Sequence, residues 1–278
     1  MTDQIEAYGQ SLIQHGSSND RAYLMKINRQ DSPHVVDYAM GLAADKGYSK
    51  IFAKAPAFSR QEFLKQGFCE EAKVPGLFNG EEDGFFLSKY LEAGRRTERE
   101  PVKVRKILAA AGKRQVEDLD VPVPEPGMTC RIMSKQDVDA MADLYRQVFE
   151  SYPFPINDPG YLAKTMDENV VYHGILRNDE LIALASAEID APGQNVEMTD
   201  FATRPDCRGQ GLATYLLDRM EVEVRSNGIK TAYTIARAYS CGMNITFAKH
   251  GYQYAGTLTN NTQISGKLES MNVWYKTL

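Results

Sequence analysis

A glycine-rich loop is the segment whose residue types and spacing most directly indicate chemistry. It reads Arg208-Gly-Gln-Gly-Leu-Ala213 and lies between a predicted strand, Glu197–Thr203, and an amphipathic helical pattern, Leu212–Asn227. In this position successive backbone N–H groups and the helix N-terminus can bind one anion, and glycine allows close approach. The spacing alone also fits a tight turn before a helix. A P-loop or Rossmann nucleotide site is not indicated, because neither Gly-Lys-Ser/Thr nor a first βαβ unit with G-x-G-x-x-G is present.

The elements that must position this loop form an alternating pattern after Gly127. Ser134 is a predicted N-cap before apolar residues at helical spacing, and Gly228 is a predicted C-cap. The order of elements indicates an α/β or α+β fold, a mixed sheet with helices on both faces. The predicted strands are Thr129–Ile132, Val170–Leu176, Leu181–Asp190, Glu197–Thr203, Thr231–Ala236, Tyr252–Leu258 and Met271–Lys276, and the predicted helices are Asp137–Phe149, Pro159–Met166, Leu212–Asn227 and Met243–His250.

Composition excludes several classes of protein. The chain has 278 residues, a net charge of −5 and 43% apolar residues, which are ordinary globular values. It has no Lys/Arg block, so neither a nucleic-acid nor an anionic-membrane partner is expected. The acidic N-terminus does not resemble a signal peptide, and the longest apolar runs are too short to span a membrane, which predicts a cytoplasmic protein. Four dispersed cysteines without C-x-x-C, and only four histidines, suggest neither a disulfide framework nor a metal site.

A shift in composition between Glu92 and Gly127 predicts a domain boundary. The charged run Arg95–Glu100 is followed by a short helical pattern, Val104–Ala111, and then by three prolines within Val121–Gly127. Proline fixes φ and blocks both helix and central strand, so this last stretch should be an extended connector. The sequence thus predicts an N-terminal domain at 1–92, a charged and proline-rich linker at 93–127, and a second domain at 128–278.

The N-terminal domain carries a weak internal repeat of the second. Phe63-Leu-Lys-Gln-Gly-Phe68 matches Phe247-Ala-Lys-His-Gly-Tyr252 at four positions, and Gly47–Ala55 matches Gly228–Ala236 as a helix-ending glycine before a strand. Coincidence between two α/β segments would also explain this. As a degenerate copy, residues 1–91 are predicted to lack the glycine loop, because Asn28–Pro33 contains none, and also the front half of the fold with its hairpin.

The second domain resembles the acetyl-CoA-binding core of the GNAT N-acetyltransferases. The resemblance rests on Arg-x-x-Gly-x-Ala at Arg208–Ala213, on Thr203-Arg-Pro205 before it and on Phe247–Tyr252 after it, and it covers about Met128–Leu278. It implies the GNAT fold, preceded by a smaller degenerate GNAT-like domain. A closer resemblance is to the β-lysine N6-acetyltransferases. It is carried by Tyr152–Ile156, Glu197–Thr203, Tyr233–Ala238, Ser240–Asn244, Asn260–Thr262 and Glu269–Tyr275.

The resemblance implies acetyl-CoA as co-substrate and a set of residues that hold it. Residues 208–214 would bind the pyrophosphate through backbone N–H groups, and residues 201–203 would lie along the pantetheine arm. Ser240 stands where many members place an asparagine that contacts the cofactor. The implied cofactor residues are Phe201, Ala202, Thr203, Arg208, Gly209, Gln210, Gly211, Leu212, Ala213, Thr214 and Ser240.

One position departs from the family pattern. Phe247 stands where many members have the tyrosine that protonates the leaving thiolate. Tyr239 or water could act as the acid instead, or the thiolate could leave unprotonated, which a pKa of roughly 8.5 makes tolerable.

Deprotonating the acceptor requires a base. At pH 7 about one alkyl ammonium in a few thousand is neutral, which costs about 4–5 kcal/mol. Glu197 is the first candidate, near where several family members carry a glutamate that works directly or through water, and Asp200 is the second, as base or amine-binding residue. Side chains three apart on a regular strand point to opposite faces, so only one acid could face the amine unless a bulge intervenes.

Other residues are weaker candidates for the acceptor site. Tyr152, Phe154 and Ile156 could wall the pocket or simply pack, and Asn244, like Asn260 and Asn261, could bind a substrate carboxylate or cap a local turn. Glu168 and Glu188 are predicted to be solvated, and Cys207 and Cys241 have no neighbouring histidine that would activate them.

The function that the resemblance implies is transfer of acetyl to the side-chain amine of β-lysine, which gives the compatible solute N6-acetyl-β-lysine. Two alternatives stay open. One is a GNAT enzyme for another small amine, such as lysine, a polyamine or an aminoglycoside, and the other is a non-catalytic acyl-CoA-binding module. The expected partner is a small-molecule amine, and a homodimer is left open.

Overall fold

One mixed sheet of thirteen strands runs through the part of the chain that the structure, a computed structural model, describes: residues 3–32, 34–115, 121 and 125–278. The strands are β1 (Gln4–Tyr8), β2 (Ser11–Gly16), β3 (Arg21–Lys26), β4 (Lys50–Pro56), β5 (Cys69–Phe78), β6 (Glu82–Tyr90), β7 (Met128–Ile132), β8 (Val170–Arg177), β9 (Glu180–Asp190), β10 (Asn195–Thr203), β11 (Thr231–Arg237), β12 (Gln253–Ile264) and β13 (Lys267–Thr277). The helices are α1 (His34–Lys46), α2 (Ala57–Lys65), α3 (Pro101–Gly112), α4 (Val138–Val148), α5 (Pro159–Glu168), α6 (Leu212–Ser226) and α7 (Cys241–Lys249).

The C-terminal half has the predicted order of elements, and the mixed sheet with helices on both faces is confirmed. Its strands lie in the order β7-β8-β9-β10-β11-β13-β12. The pair β10–β11 is parallel, and the other neighbours in this half are antiparallel. Apolar side chains of α6 and α7 pack on one face, whereas α4 and α5 cover part of the other. This leaves the rest of the second face available to the N-terminal half.

The N-terminal half repeats this topology. Its order β1-β2-β3-β4-β6-β5 corresponds to β8-β9-β10-β11-β13-β12, with β3–β4 as the parallel pair. The predicted absence of a hairpin is wrong, because β1 and β2 form an antiparallel pair around a turn at Gly9, and β2 and β3 form a second antiparallel pair. Alternation over five or six residues is too short a signal to separate a strand from a loop. Within the described residues, this half contains no counterpart of β7, α4 or α5.

The two halves join at β5 and β12. Gly256 of β12 pairs with Ala72 of β5, and a Cβ at Gly256 would lie 2.0 Å from the carbonyl oxygen of Glu71, so only glycine allows this approach. An apolar cluster shared by the two halves packs on the face of the C-terminal sheet that α4 and α5 leave uncovered. The N-terminal half therefore covers this face. The cluster includes Tyr23, Phe52, Phe86, Tyr233, Met271 and Val273.

The predicted linker includes a helix that belongs to the C-terminal core. The helical pattern at Val104–Ala111 is confirmed by α3, whose Ala111 is buried with α6 and α7. In the proline-rich stretch Val121–Gly127, residues 122–124 lie outside the described residues. None of the described helices combines the length and apolar composition that crossing a bilayer demands.

Candidate active site

Strands β10 and β11 separate in the middle of the sheet. Their parallel pairing covers only Asn195–Glu197 opposite Thr231–Tyr233. Beyond it the register between β10 and β9 shifts between Thr199 and Ala202, and Asp200 has a positive φ of 54°. This is a β-bulge, which bends the strand and re-aims its side chains. The backbone of β10 past Glu197 therefore borders a gap rather than a neighbouring strand.

A cavity of about 510 Å³ occupies this gap. Most of the residues that border it come from the end of β10, the glycine loop, the start of α6, β11 and α7, and the others come from the end of α4 and the segment after it, from β12 and from β13. Two predicted cofactor residues are not on its wall, since Ala202 packs in the core and Gln210 accepts a hydrogen bond from Arg177 (2.8 Å). The predicted cofactor residues on the wall are Phe201, Thr203, Arg208, Gly209, Gly211, Leu212, Ala213, Thr214 and Ser240.

The glycine loop fits an anion such as a pyrophosphate. Gly209 and Gly211 have φ of 82° and 76°, a conformation that side chains rarely adopt, and the space where a Cβ of Gly209 would lie is open. No side chain caps the N-terminus of α6, so its first N–H groups lack a side-chain acceptor. Together with the positive end of the helix dipole, these groups form a site for negative charge.

The cavity wall is apolar at Phe247, the position where many family members have a tyrosine. The ring of Phe247 is buried and forms edge-to-face contacts with Phe201 and Tyr252, at centroid distances of 5.6 and 5.1 Å. The hydroxyl of Tyr239 donates to Glu98 (2.5 Å), and Tyr239 does not border the cavity. Tyr239 is therefore not placed to protonate a group in the cavity.

The bulge brings the two predicted acids to one face. Asp200 borders the cavity and accepts hydrogen bonds from Tyr152 Oη (2.5 Å), Ser186 Oγ (2.6 Å) and Thr199 Oγ1 (3.4 Å). Burial raises the pKa of Asp200, although these bonds oppose the shift. Ser186 lies opposite Thr199, and Thr199 is on the same face of β10 as Glu197, two residues away. The hydrogen bond from Ser186 therefore places the Asp200 carboxylate on the face on which Glu197 lies.

Glu197 lies at the point where β10 and β11 separate. Burial raises its pKa, while Lys54 and a hydrogen bond from Tyr233 act in the opposite direction. The ammonium of Lys54 donates to Tyr233 Oη (2.8 Å). Glu188 stands directly opposite Glu197 on β9. We call the region formed by these three charged side chains, Asp200 and Tyr152 the acidic cleft; of these residues, Asp200 and Tyr152 border the cavity.

The sequence gives little sign that Lys54 and Glu188 belong here. Lys54 comes from β4 of the N-terminal half, on the same face as Lys50 and Phe52. A lysine in a predominantly apolar strand is the available signal, but its neighbours become apparent only when the two halves pack. Glu188 was expected to be solvated and instead faces Glu197, whereas Glu168 is exposed as expected.

Of the remaining candidates for the acceptor site, the structure places Tyr152 at the cavity and Phe154 and Asn244 away from it. Tyr152 borders both cavity and acidic cleft, whereas Phe154 packs in the cluster beneath α4. Asn244 is fully buried, donates to the carbonyl oxygens of Arg237 (3.0 Å) and Ser240 (2.8 Å), and accepts from Asn272 (2.8 Å) and Trp274 (2.9 Å). These four bonds use its whole amide, so Asn244 is not retained in the acceptor site.

Comparisons with known proteins agree with this geometry. The profile of the acetyltransferase (GNAT) family matches residues 138–252. A β-lysine N(6)-acetyltransferase of Methanococcus maripaludis is 37% identical over 277 residues, covering 99% of this chain and 98% of that protein. The N-acetyltransferase YodP of Bacillus subtilis is 32% identical, covering 96% of each chain. A β-lysine N(6)-acetyltransferase of Methanosarcina mazei is 31% identical, covering 85% of this chain and 94% of that protein.

The relatives match along nearly the whole chain, so the relationship includes the N-terminal half as well as the cavity and the glycine loop. The chain therefore belongs to the acetyltransferase (GNAT) family of N-acetyltransferases.

Proposed function

We propose that this enzyme transfers acetyl from acetyl-CoA to the side-chain amine of β-lysine and forms N6-acetyl-β-lysine. The observation that carries the proposal is a cavity bordered both by an anion-binding loop and by Asp200, a carboxylate that clusters with Glu197 and Glu188. An acceptor with more than one ammonium group complements the acidic cleft. Two relatives that span most of the chain carry the name of this activity. As a compatible solute the product would accumulate in the cytoplasm.

The cavity residues would hold acetyl-CoA in one orientation. Backbone N–H groups from Arg208 to Thr214 would bind its pyrophosphate, and Phe201 and Thr203 would contact the pantetheine arm. Acetyl-CoA supplies the activated acyl group. The backbone of β10 beyond Glu197, which β11 does not pair, offers N–H groups that can polarise a carbonyl oxygen.

The acidic cleft would bind the acceptor and remove its proton. We assign Asp200 to binding the reacting ammonium, because it borders the cavity, and Glu197 to receiving the proton directly or through water. A raised pKa makes the Glu197 carboxylate a stronger base than a solvated glutamate. With Phe247 at the wall, the thiolate leaves unprotonated or takes its proton from water, which a thiol pKa of roughly 8.5 permits.

The direct test is thiol release from acetyl-CoA by the full-length protein with β-lysine, lysine, spermidine and an aminoglycoside as acceptors. The highest kcat/KM is expected with β-lysine, and mass spectrometry of the product should place the acetyl group on N6. Faster turnover of another amine would assign a different acceptor. Acetyl-CoA binding without turnover of any amine would indicate a binding module instead.

The glycine loop gives a prediction about acetyl-CoA. Gly209→Ala should weaken acetyl-CoA binding by roughly tenfold or more, because its methyl group would occupy the open space of the anion site and strain the backbone. Gly228→Ala is the matched control: Gly228 has φ of 79°, equally open surroundings and a position at the far end of α6. Calorimetry should show weaker binding only for Gly209→Ala. Equal affinity in the two variants would rule out the assigned anion site.

A further inference from the structure

Glu188 lies in the acidic cleft in a position that the reaction itself does not explain. It is directly opposite Glu197 in the antiparallel pair of β9 and β10. Ser186, two residues earlier on β9, donates to Asp200 (2.6 Å). Residues two apart on a strand share a face, so Glu188 lies on the same face of β9 as Ser186, which holds Asp200. Like charges directly opposite each other on a sheet destabilise it.

Glu188 lacks a partner that would offset this cost. It forms no hydrogen bond or ion pair with any residue in the described ranges. Lys54 is a cation that lowers the pKa of Glu188, but its ammonium donates a hydrogen bond to Tyr233 (2.8 Å). Burial and the carboxylates of Glu197 and Asp200 raise the pKa of Glu188 to about 8. A cationic ligand group would stabilise its ionised form.

A second unpartnered group lies near the same carboxylates. Tyr145 of α4 is 1% exposed, and its hydroxyl has no hydrogen-bond partner among the described residues. Asp200 is the carboxylate that acts on it most strongly, and Glu188 also acts on it. A buried hydroxyl without a partner is costly, so these carboxylates have an unsatisfied polar neighbour on α4 as well as one on β9. Both observations point to a missing polar ligand group.

Resting on the proposed function, we propose that Glu188 binds a second ammonium group of the acceptor while the first reacts beside Asp200. The residues that fix these two positions, Ser186 and Glu188, are about 7 Å apart along β9. Four carbons separate the two nitrogens of β-lysine, which spans about 6 Å when extended. The cleft thus selects an acceptor with two amino groups, and a monoamine leaves Glu188 unpaired.

The experiment compares β-lysine with 6-aminohexanoate, which has the same carbon chain and carboxylate but lacks the second amine. The wild-type enzyme should prefer β-lysine in kcat/KM by roughly 10- to 100-fold, the worth of one charged hydrogen bond. Glu188→Gln should reduce this preference to less than about threefold, mainly through a higher KM for β-lysine. Glu168→Gln, an exposed position on α5, should keep the full preference.

Each outcome separates the two claims. Turnover of neither compound by the wild-type enzyme would refute the proposed function and this inference with it. A strong preference for β-lysine that persists in Glu188→Gln would overturn the second-ammonium site alone, as would equal wild-type turnover of the two compounds. A loss of acetyl-CoA affinity in Glu188→Gln would identify a misfolded protein. Glu188→Asp, which keeps the charge, should restore part of the preference for β-lysine.

Discussion

Glu197→Gln is expected to lower kcat/KM for β-lysine by about 10²–10⁴ at neutral pH, the range for loss of a general base. The amide keeps the size of the side chain but cannot accept the acceptor's proton. The fraction of free amine rises with pH toward its pKa of about 10.4, so the variant should recover part of its rate in alkaline buffer. Initial rates of thiol release between pH 6 and 10 measure both effects.

The pH profile separates a base from a structural role. In the wild-type enzyme kcat/KM should rise as the pH passes the pKa of Glu197, which lies above its ordinary value, because only the ionised carboxylate accepts a proton. This rise in kcat/KM should be missing in Glu197→Gln, while the affinity for acetyl-CoA stays the same. A wild-type rate and an unaltered profile would assign the base to Asp200 or to solvent.

The parts of the site that sequence could predict are those encoded in a contiguous segment. The glycine loop is of this kind, because strand, loop and helix follow one another from Glu197 to Asn227 and the chemistry of an anion site needs all three in that order. The order of helices and strands along the C-terminal half could also be predicted, because each element has its own hydrophobic periodicity in the sequence. The structure therefore agrees with the sequence on the fold, and nine of the eleven predicted cofactor residues border the cavity.

The acidic cleft could not be predicted in the same way, because it depends on pairing. A bulge at Asp200 is a property of β10 and β9 together, and it allows two acids three apart to reach one face. Lys54 is distant in sequence and reaches Tyr233 only because the two halves of the sheet pack face to face. Glu188 belongs to the acidic cleft because Glu197 lies opposite it in the strand pair, and its own neighbours in the chain do not indicate this.

The packing of the two halves makes Arg95 a sensitive position. Its buried guanidinium donates to the carbonyl oxygens of Asn260 (2.8 Å) and Asn19 (2.7 Å), to Ser49 Oγ (2.7 Å) and to Asp20 (2.9 Å). Asn260 in turn donates to the carbonyl oxygen of Arg95 (2.9 Å). These bonds connect a bulge of β12 to the N-terminal half beside the shared apolar cluster.

Arg95→Met should therefore destabilise the protein by about 3 kcal/mol, because buried carbonyl oxygens lose their donor. For a chain of this size the melting temperature should fall by roughly 6–12 °C. Arg96→Met is the matched control: Arg96 is adjacent and exposed, and it should change the melting temperature by less than about 2 °C.

The same variant tests whether the N-terminal half completes the acidic cleft. Lys54 reaches the acidic cleft only while the two halves stay packed, so Arg95→Met should raise the KM for β-lysine more than it weakens acetyl-CoA binding, since the glycine loop lies wholly in the C-terminal half. Both constants are measured well below the melting transition. Equal losses of the two affinities, or a melting temperature no lower than that of Arg96→Met, would contradict this role for Arg95 and for the packing that it secures.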